Sequence, residues 1–560
     1  MKLLRLKITS ENGFRSLQKN FEICFRRNGS LDEMSSFHPF CLVGLNGCGK
    51  SNVMEAIAHI FYHVELCVSK HIPDYILEGG LFSPQNCVID AFVLEYMITI
   101  HNDHLLLSDR MRIVRVSKNA HEAPELNVYK QDDKKQEIFR AELNEDANEL
   151  CDLIRSFLPK YVVAYSSGEN ETLSVPFIKS RLLHMEEFKQ ATVGDYKNYI
   201  APENNLIFID ANMSQAILLC SLLFEDNEVL KTLSDYNNTG ILKINRFRMC
   251  LRNKYFKDAS LNKKCSYFHL LKRDLFPKLQ ACCTLSWFDD KEDVYYFDFY
   301  VNEATKMAFR KHFGTSMNCF QMFRLLYELN YYFLGVNDVK NALGNNSVVQ
   351  ENKLGRPSGN SDIFHFSDFY IDKKIDATGK IEKMTLDQLS DGEHQFVHTT
   401  AICLLLKNAE SLLLMDEPET HFNPSWRSRF ISILDETLKV ACDDKKIPFG
   451  EVNLRKEILI TSHSPFIISD CLPTNVLVLN KDKLGNTEAK SAAEKGINTF
   501  GTSISLLMAR FFGSNATIGT LAEKGIKAIV EKGGSKDDIK RRLNETFGDS
   551  VEKLLAIDNL

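Results

Sequence analysis

Four short stretches carry the residues that can do chemistry. The first is Gly44-Leu-Asn46-Gly47-Cys48-Gly49-Lys50-Ser51, followed by Asn52. It follows an apolar run, Phe40 to Val43, and precedes apolar residues at helical spacing, Val53, Ile57, Ile60 and Phe61. Strand, glycine turn and helix in that order form a phosphate cradle. Glycines let backbone N–H groups face phosphate oxygens, and a helix N-terminus adds positive charge. Lys50 is suited to the β- and γ-phosphates and Ser51 to Mg²⁺. A bare glycine turn is the bland alternative, but the match to G-x-x-x-x-G-K-[ST] is complete and its strand–helix context is right.

The second stretch is "SLLLMDEPETHFNP", residues 411–424. Apolar residues ending in two carboxylates read as a buried parallel strand reaching the carboxyl edge of a sheet, where ligands bind. Asp416 is placed to orient the Mg²⁺ shell. Glu417, one residue on, is placed to polarise an attacking water as general base. The third is "LDQLSDGEHQF", residues 386–396, where Ser390 and Glu393 have the spacing of a capping box. Gly392 keeps the backbone open, so the helix start can offer hydroxyl and N–H donors to a γ-phosphate. Alone, this stretch is an ordinary capped helix. The fourth is "EILITSHSPFII", residues 457–468. A strand, Ile458 to Ile460, delivers Thr461, Ser462 and His463 to an edge, and His463 can donate to a γ-phosphate.

The elements that must position these residues follow from the wider pattern. The chain has 560 residues and 44% apolar content, enough for several packed layers. The expected fold class is α/β. A lobe over 1–175 carries the phosphate loop and strand-like runs such as "KLLRLKI", "FEICF" and "CVIDAFVLEYMITIH". Residues 176–340 read as a mainly helical insertion, interrupted by strand-like "DVYYFDFYV" at 293–301. Residues 341–363 are turn-rich and polar, a flexible loop. A second α/β lobe over 364–500 carries the other three motifs, and 501–560 is helical with mixed charge.

Bulk properties narrow the function classes. Net charge is −6, so no global basic balance announces nucleic acid, though a local basic surface remains open. The 15 cysteines are scattered; Cys250, Cys265, Cys282 and Cys283 match no usual zinc spacing. Free thiols in that number suit a reducing cytoplasm. The N-terminus reads as a first strand rather than a signal peptide, and no apolar run is long enough to span a bilayer.

Taken in order, phosphate loop, long insertion, "LSDGE", "LLLMDEPETHFNP" and "TSHSP" resemble ABC-type ATPases of the soluble branch: the SMC and DNA-repair heads and the OLD family. "DEPETHFNP" and "TSHSPF" resemble the OLD-type subgroup most. That resemblance implies an ABC-type head, ATP and Mg²⁺ as cofactors, and two copies facing head to tail. Each ATP would lie between the phosphate loop of one copy and Ser390, Gly392 and Glu393 of the other. Hydrolysis at Glu417 would reopen the pair, and His421 would face the seam. The family's Q-loop has two candidates, Gln85 and the segment 164–177 with Ser167 and Glu169. No acidic set of the Toprim kind follows the histidine motif, which implies an ATPase without its own nuclease. With "YSSGENE" and "FFGSNATIG", the chain is similar to the PtuA ATPases of Septu-type anti-phage systems, including retron-associated ones. The similarity implies an HNH endonuclease (PtuB-like) as partner, and in retron versions a reverse transcriptase with its multicopy single-stranded DNA. DNA or tRNA would be the substrate of the complex.

Other readings compete. An SMC- or repair-like head that clamps DNA itself needs a basic groove and salt-sensitive binding, and the lack of sustained heptads counts against it. A nucleotide-gated scaffold with little turnover sits badly with intact Lys50, Asp416 and Glu417. A transporter subunit is disfavoured by the long insertion.

Overall fold

A computed structural model of the chain describes residues 1–26, 36–69, 72, 74–100, 111–131, 136–144, 150–167, 171–191, 204–210, 213–253, 271–331, 336–344, 362–407, 409–442, 453–513 and 518–560. Three sheets organise it, in a mixed α/β fold with helices flanking the sheets.

The central sheet has seven strands in the order Thr487–Ser491, Val476–Lys481, Phe40–Val43, Lys456–Thr461, Ser411–Asp416, Tyr161–Ser166, Leu206–Ile209. All pairings are parallel except the terminal hairpin of Val476–Lys481 with Thr487–Ser491. Parallel sheets are covered on both faces, so their strands read as continuous apolar runs. Ser411–Asp416 is buried at every residue. Leu412 and Leu414 point into one core and Leu413 and Met415 into the other, the alternation a pleated strand imposes.

One face of this sheet packs on the helix Lys50–Cys67, which is backed by a six-stranded antiparallel sheet. That sheet runs Glu22–Cys24, Lys2–Ile8, Phe92–Thr99, Met111–Lys118, Glu125–Lys130, Glu137–Glu142. The other face meets the helices Ser214–Phe224, Glu303–Phe313, Ser316–Glu328, Asp391–Leu405 and Phe430–Cys442. Beyond them lies a five-stranded antiparallel sheet in the order Leu285–Asp289, Val294–Tyr300, Ile241–Arg252, Phe364–Lys374, Ile381–Thr385.

The described part of 176–340 carries more helix than strand, and its strands enter sheets shared with the rest of the chain. Leu206–Ile209 joins the central sheet beside Tyr161–Ser166. Ile241–Arg252 and Val294–Tyr300 share a sheet with Phe364–Lys374 from the following lobe. The helices and the strand Val294–Tyr300 were legible from local patterning; Leu206–Ile209 and Ile241–Arg252 pair with sequence-distant partners, which no local pattern announces. Most of the expected loop at 341–363 lies outside the described residues. At the end of the chain, Thr520–Glu531, Lys536–Thr546 and Val551–Asp558 form a small helical unit around Ile526, Ile539 and Leu543.

Among the described residues, no helix is long and apolar enough to cross a membrane. No group of three or more His, Cys, Asp or Glu among them is arranged to hold a metal ion. Cys250 instead contacts Ser367 at 3.3 Å, and Cys265 lies outside the described residues.

Candidate active site

The parallel sheet brings three of the four motifs to one edge. Asp416 is in register with Thr461 on one side and Ser166 on the other, and Thr461 with Leu42 beyond. The phosphate loop leaves the strand Phe40–Val43 at that same edge. Its glycines hold the turn: Gly44 has φ 150° and Gly49 φ 99°, values that favour residues without a Cβ. A Cβ on Gly49 would sit 2.6 Å from Ser16 Oγ, and one on Gly44 2.2 Å from Leu479 O. Gly49 then caps the helix Lys50–Cys67 with no side-chain hydrogen bond and no carboxylate in the first turn. The helix N–H groups there are thus unclaimed by side chains, the condition for binding an anion.

Lys50 is buried and curls over the loop, donating to Gly44 O at 3.0 Å and Leu45 O at 3.3 Å. Asn46 and Gly47 form the exposed crest. Cys48 turns its side chain into the core, so it can serve a nucleotide only through its backbone. Asn52 points away, donating to Ser16 Oγ at 2.7 Å; it ties the helix to the loop that follows the first strand.

Ser51 Oγ lies 3.0 and 3.2 Å from the two carboxylate oxygens of Asp416. These residues are 365 positions apart in sequence. A hydroxyl beside a carboxylate at a sheet edge is a hard-oxygen pair of the kind Mg²⁺ takes in phosphate sites, so the residues fit that ion. Thr461 organises the acids: its hydroxyl donates to Asp416 Oδ1 at 2.5 Å and accepts from Glu417 N at 3.0 Å. Glu417 has φ 48°, a conformation costly for a residue with a side chain. The turn leaves its carboxylate 43% exposed and 3.4 Å from His463 Nε2. Burial and then the Lys50 charge push the His463 imidazole below its ordinary value, against the pull of Glu417 and Asp416.

The signature stretch builds its capping box as spaced. Ser390 Oγ accepts from Glu393 N at 3.4 Å, and Glu393 Oε2 accepts from Ser390 N at 3.0 Å. Glu393 also takes a hydrogen bond from Lys373. Ser390 is exposed, while Gly392 is buried with His421 O only 2.9 Å from where a Cβ would stand. Gln395, one turn on, accepts from His421 N at 3.0 Å. The signature helix is therefore fastened to the turn that follows Glu417 in the same chain.

Three positions had no role assigned from sequence. Thr461 was visible only as a neighbour of the histidine. Gln395 had no signal beyond its place in the helix. Glu419, 4% exposed, accepts from Ser462 Oγ, and burial raises its carboxyl to about 7. Ser167 sits at the site's rim: its N–H donates to Asp416 O at 3.2 Å and its hydroxyl to Thr420 Oγ1 at 2.9 Å. Glu169 lies outside the described residues. Gln85 is far off. It neighbours Pro84, whose carbonyl meets His63 at 3.0 Å, about 18 Å down the helix from Ser51 at 1.5 Å per residue.

Comparison with known proteins bears on the second half of this site. The family described as "AAA domain, putative AbiEii toxin, Type IV TA system" matches residues 309–469. That span holds Ser390, Asp416, Glu417 and His463, but not the phosphate loop. The Septu protein PtuA of Bacillus mycoides (strain KBAB4) is 29% identical over 147 residues, 25% of this chain. The chain spans 18% of the length of that relative. Among solved structures, an SMC head bound to the C-terminal winged-helix domain of ScpA overlaps 89% of this chain and all of its own, at 10% identity. The TM-score is 0.34, too loose an overlap to carry an argument.

Proposed function

We propose that the chain is an ABC-type ATPase subunit of an anti-phage complex of the Septu kind, in which nucleotide-dependent pairing of two heads controls a partner HNH nuclease. Support comes from one arrangement above all. Ser51, Asp416, Thr461, Glu417 and His463 meet at one sheet edge, beside a helix N-terminus with a buried lysine.

The chemistry follows from those positions. Lys50 and the N–H groups of the loop neutralise the phosphates. Ser51 and Asp416 would hold Mg²⁺, which supplies charge compensation on the phosphate oxygens when bound. Glu417, half-exposed and turned off the strand, accepts the proton of a water that attacks the γ-phosphorus; the bond to the β–γ bridging oxygen breaks and ADP carries the electron pair away. His463, whose imidazole burial and the Lys50 charge hold below its ordinary value, donates to the γ-phosphate and registers its loss. Exposed Ser390 serves the nucleotide of a second copy, so that two chains close around ATP and part after hydrolysis. Such a cycle, in the cytoplasm, would hold or release the HNH partner; in a retron-type operon, a reverse transcriptase and its single-stranded DNA would set the trigger. The similarity to a PtuA segment supports the defence setting.

The deciding experiment is complementation in trans. Lys50→Ala and Ser390→Arg each abolish phosphate release alone. Mixed, they regain part of it, because a mixed pair contains one site with both wild-type halves. No recovery in a mixture shown to contain mixed pairs would refute the shared site. In cells, Lys50→Ala and Glu417→Gln operons lose protection against phage.

A further inference from the structure

The five-stranded sheet has a second face that the ATPase chemistry does not use. Along Ile241–Arg252, Ile244, Phe247, Met249 and Leu251 are buried in the core. Arg246 and Arg248 alternate with them and project outward. In register, Arg246 stands between Tyr300 and Tyr370, and Arg248 between Asp298 and Ser367.

The result is a set of rungs of flat groups. The Arg246 guanidinium lies 6.0 Å from the Tyr300 ring centre and 4.8 Å from that of Tyr370. The Lys383 ammonium is 4.6 Å from the Tyr370 ring. Arg248 lies 5.1 Å from Trp287 and 5.6 Å from Tyr296, whose own rings stack at 5.0 Å and 24°. Asp298 grips Arg248 with both oxygens, at 2.5 and 3.0 Å, and Asp368 adds a contact at 3.1 Å. Asp368 is held at φ 51°, beside a register shift between the partners of Arg246 and Arg248. The left-handed backbone at Asp368 goes with a carboxylate that faces the arginine.

Two features say what such a face suits. Its exposed aliphatics, Leu285 and Ile381, lie on the two edge strands, so its middle lacks the apolar centre of a protein interface. What it offers instead is ring faces and guanidinium planes, with exposed Lys243 and Lys383 flanking Asp372. Planar π surfaces interleaved with arginine on an open sheet are a stacking platform for unpaired bases.

We propose that this face binds single-stranded nucleic acid, with bases stacking on Trp287, Tyr300 and Tyr370 and the backbone passing Lys243 and Lys383. A duplex keeps its base faces in its own stack and is a poor ligand. Because Asp298 and Asp368 already neutralise Arg248, few phosphates are engaged. The dependence of affinity on salt is therefore shallow, set chiefly by Lys383, since Asp372 lies 3.4 Å from Lys243 and Asp368 4.0 Å from Arg246.

The chain has two tryptophans, Trp287 and Trp426, which gives a direct readout. In a full-length Trp426→Phe protein without nucleotide, titration with oligothymidylate or oligouridylate quenches the emission of Trp287. By anisotropy with a labelled strand, Trp287→Ala and Tyr300→Ala each weaken binding about tenfold or more, the size of one lost stack, while Tyr300→Phe binds as wild type. The matched duplex binds more weakly than either strand. The DNA and RNA arms identify which strand chemistry is preferred. The proposal is overturned if Trp287 emission is unmoved by both strands, if Tyr300→Ala binds as tightly as Tyr300→Phe with an unchanged melting curve, or if the same variants instead release a protein partner while strand binding persists. No nucleotide is present, so failure here leaves the ATPase proposal standing, and the converse holds.

Discussion

At the residue scale, the acids of the site differ in what their surroundings ask of them. Glu417 is half-exposed and turned by a left-handed backbone, so its carboxylate stays available for proton transfer. Glu417→Gln keeps the shape and removes the base: hydrolysis falls by about 10²- to 10⁴-fold while ATP binding, measured by calorimetry, persists. Thr461 acts through others. Its hydroxyl is shared between Asp416 and the Glu417 amide, so isosteric Thr461→Val leaves both with a lost partner. The cost is about 1–3 kcal/mol of stability, read by urea unfolding, together with weakened Mg²⁺-dependent turnover. Burial makes Glu419 hold its proton well above the ordinary carboxyl range. Its folded value, about 7, lies above the ordinary 4.5. The folded state therefore holds the proton more tightly than the unfolded one; the stabilisation is full below the ordinary value and is lost as pH rises through about 7. Against Glu419→Gln, which cannot ionise, wild type loses about 2.5 kcal/mol between pH 5 and pH 8. Parallel pH dependence in the two proteins would contradict the burial of that carboxyl as the cause.

At the element scale, the two helices whose N-termini carry the proposed phosphate donors are positioned differently. The helix Lys50–Cys67 is set by its phosphate loop and by packing between two sheets. The helix Asp391–Leu405 is set by contact with the turn after Glu417, through Gly392 and Gln395. Gly392→Ala places a methyl 2.9 Å from His421 O, a backbone atom that must shift. We expect a loss of about 1–3 kcal/mol in thermal or urea unfolding, with turnover reduced further than Lys50-dependent ATP binding. The capping box was legible because Ser390 and Glu393 are three apart, a local relation. The grip of Gln395 on His421 was not, because it joins a helix to a turn from another strand. Of the strands in 176–340, Val294–Tyr300 was expected from the run at 293–301, whereas Leu206–Ile209 and Ile241–Arg252 were not: their neighbours in the sheet come from elsewhere in the chain, and their apolar residues mix with helical runs nearby.

At the scale of the whole molecule, the exposed Ser390 and half-exposed Glu417 make pairing of copies the testable expectation. Glu417→Gln with ATP and Mg²⁺ runs as a dimer by light scattering and returns to monomer when Ser390→Arg is added; a monomer throughout would refute shared nucleotide. Much was settled by the amino-acid order alone: a glycine turn between strand and helix, an acidic strand end, a helix capped at Ser390 and a strand carrying histidine, with the α/β class that such runs require. Those features rest on short-range rules, since glycine conformations, cap spacing and buried-strand patterns are all decided within a few residues. What only the tertiary structure decided was which distant pieces meet. Ser51 finds Asp416 across most of the chain, Thr461 governs two acids on the neighbouring strand, and arginines and aromatic rings from three stretches assemble one sheet face. Such meetings depend on parallel strand order and on the matching of buried faces over the whole fold, and no window of sequence contains that information.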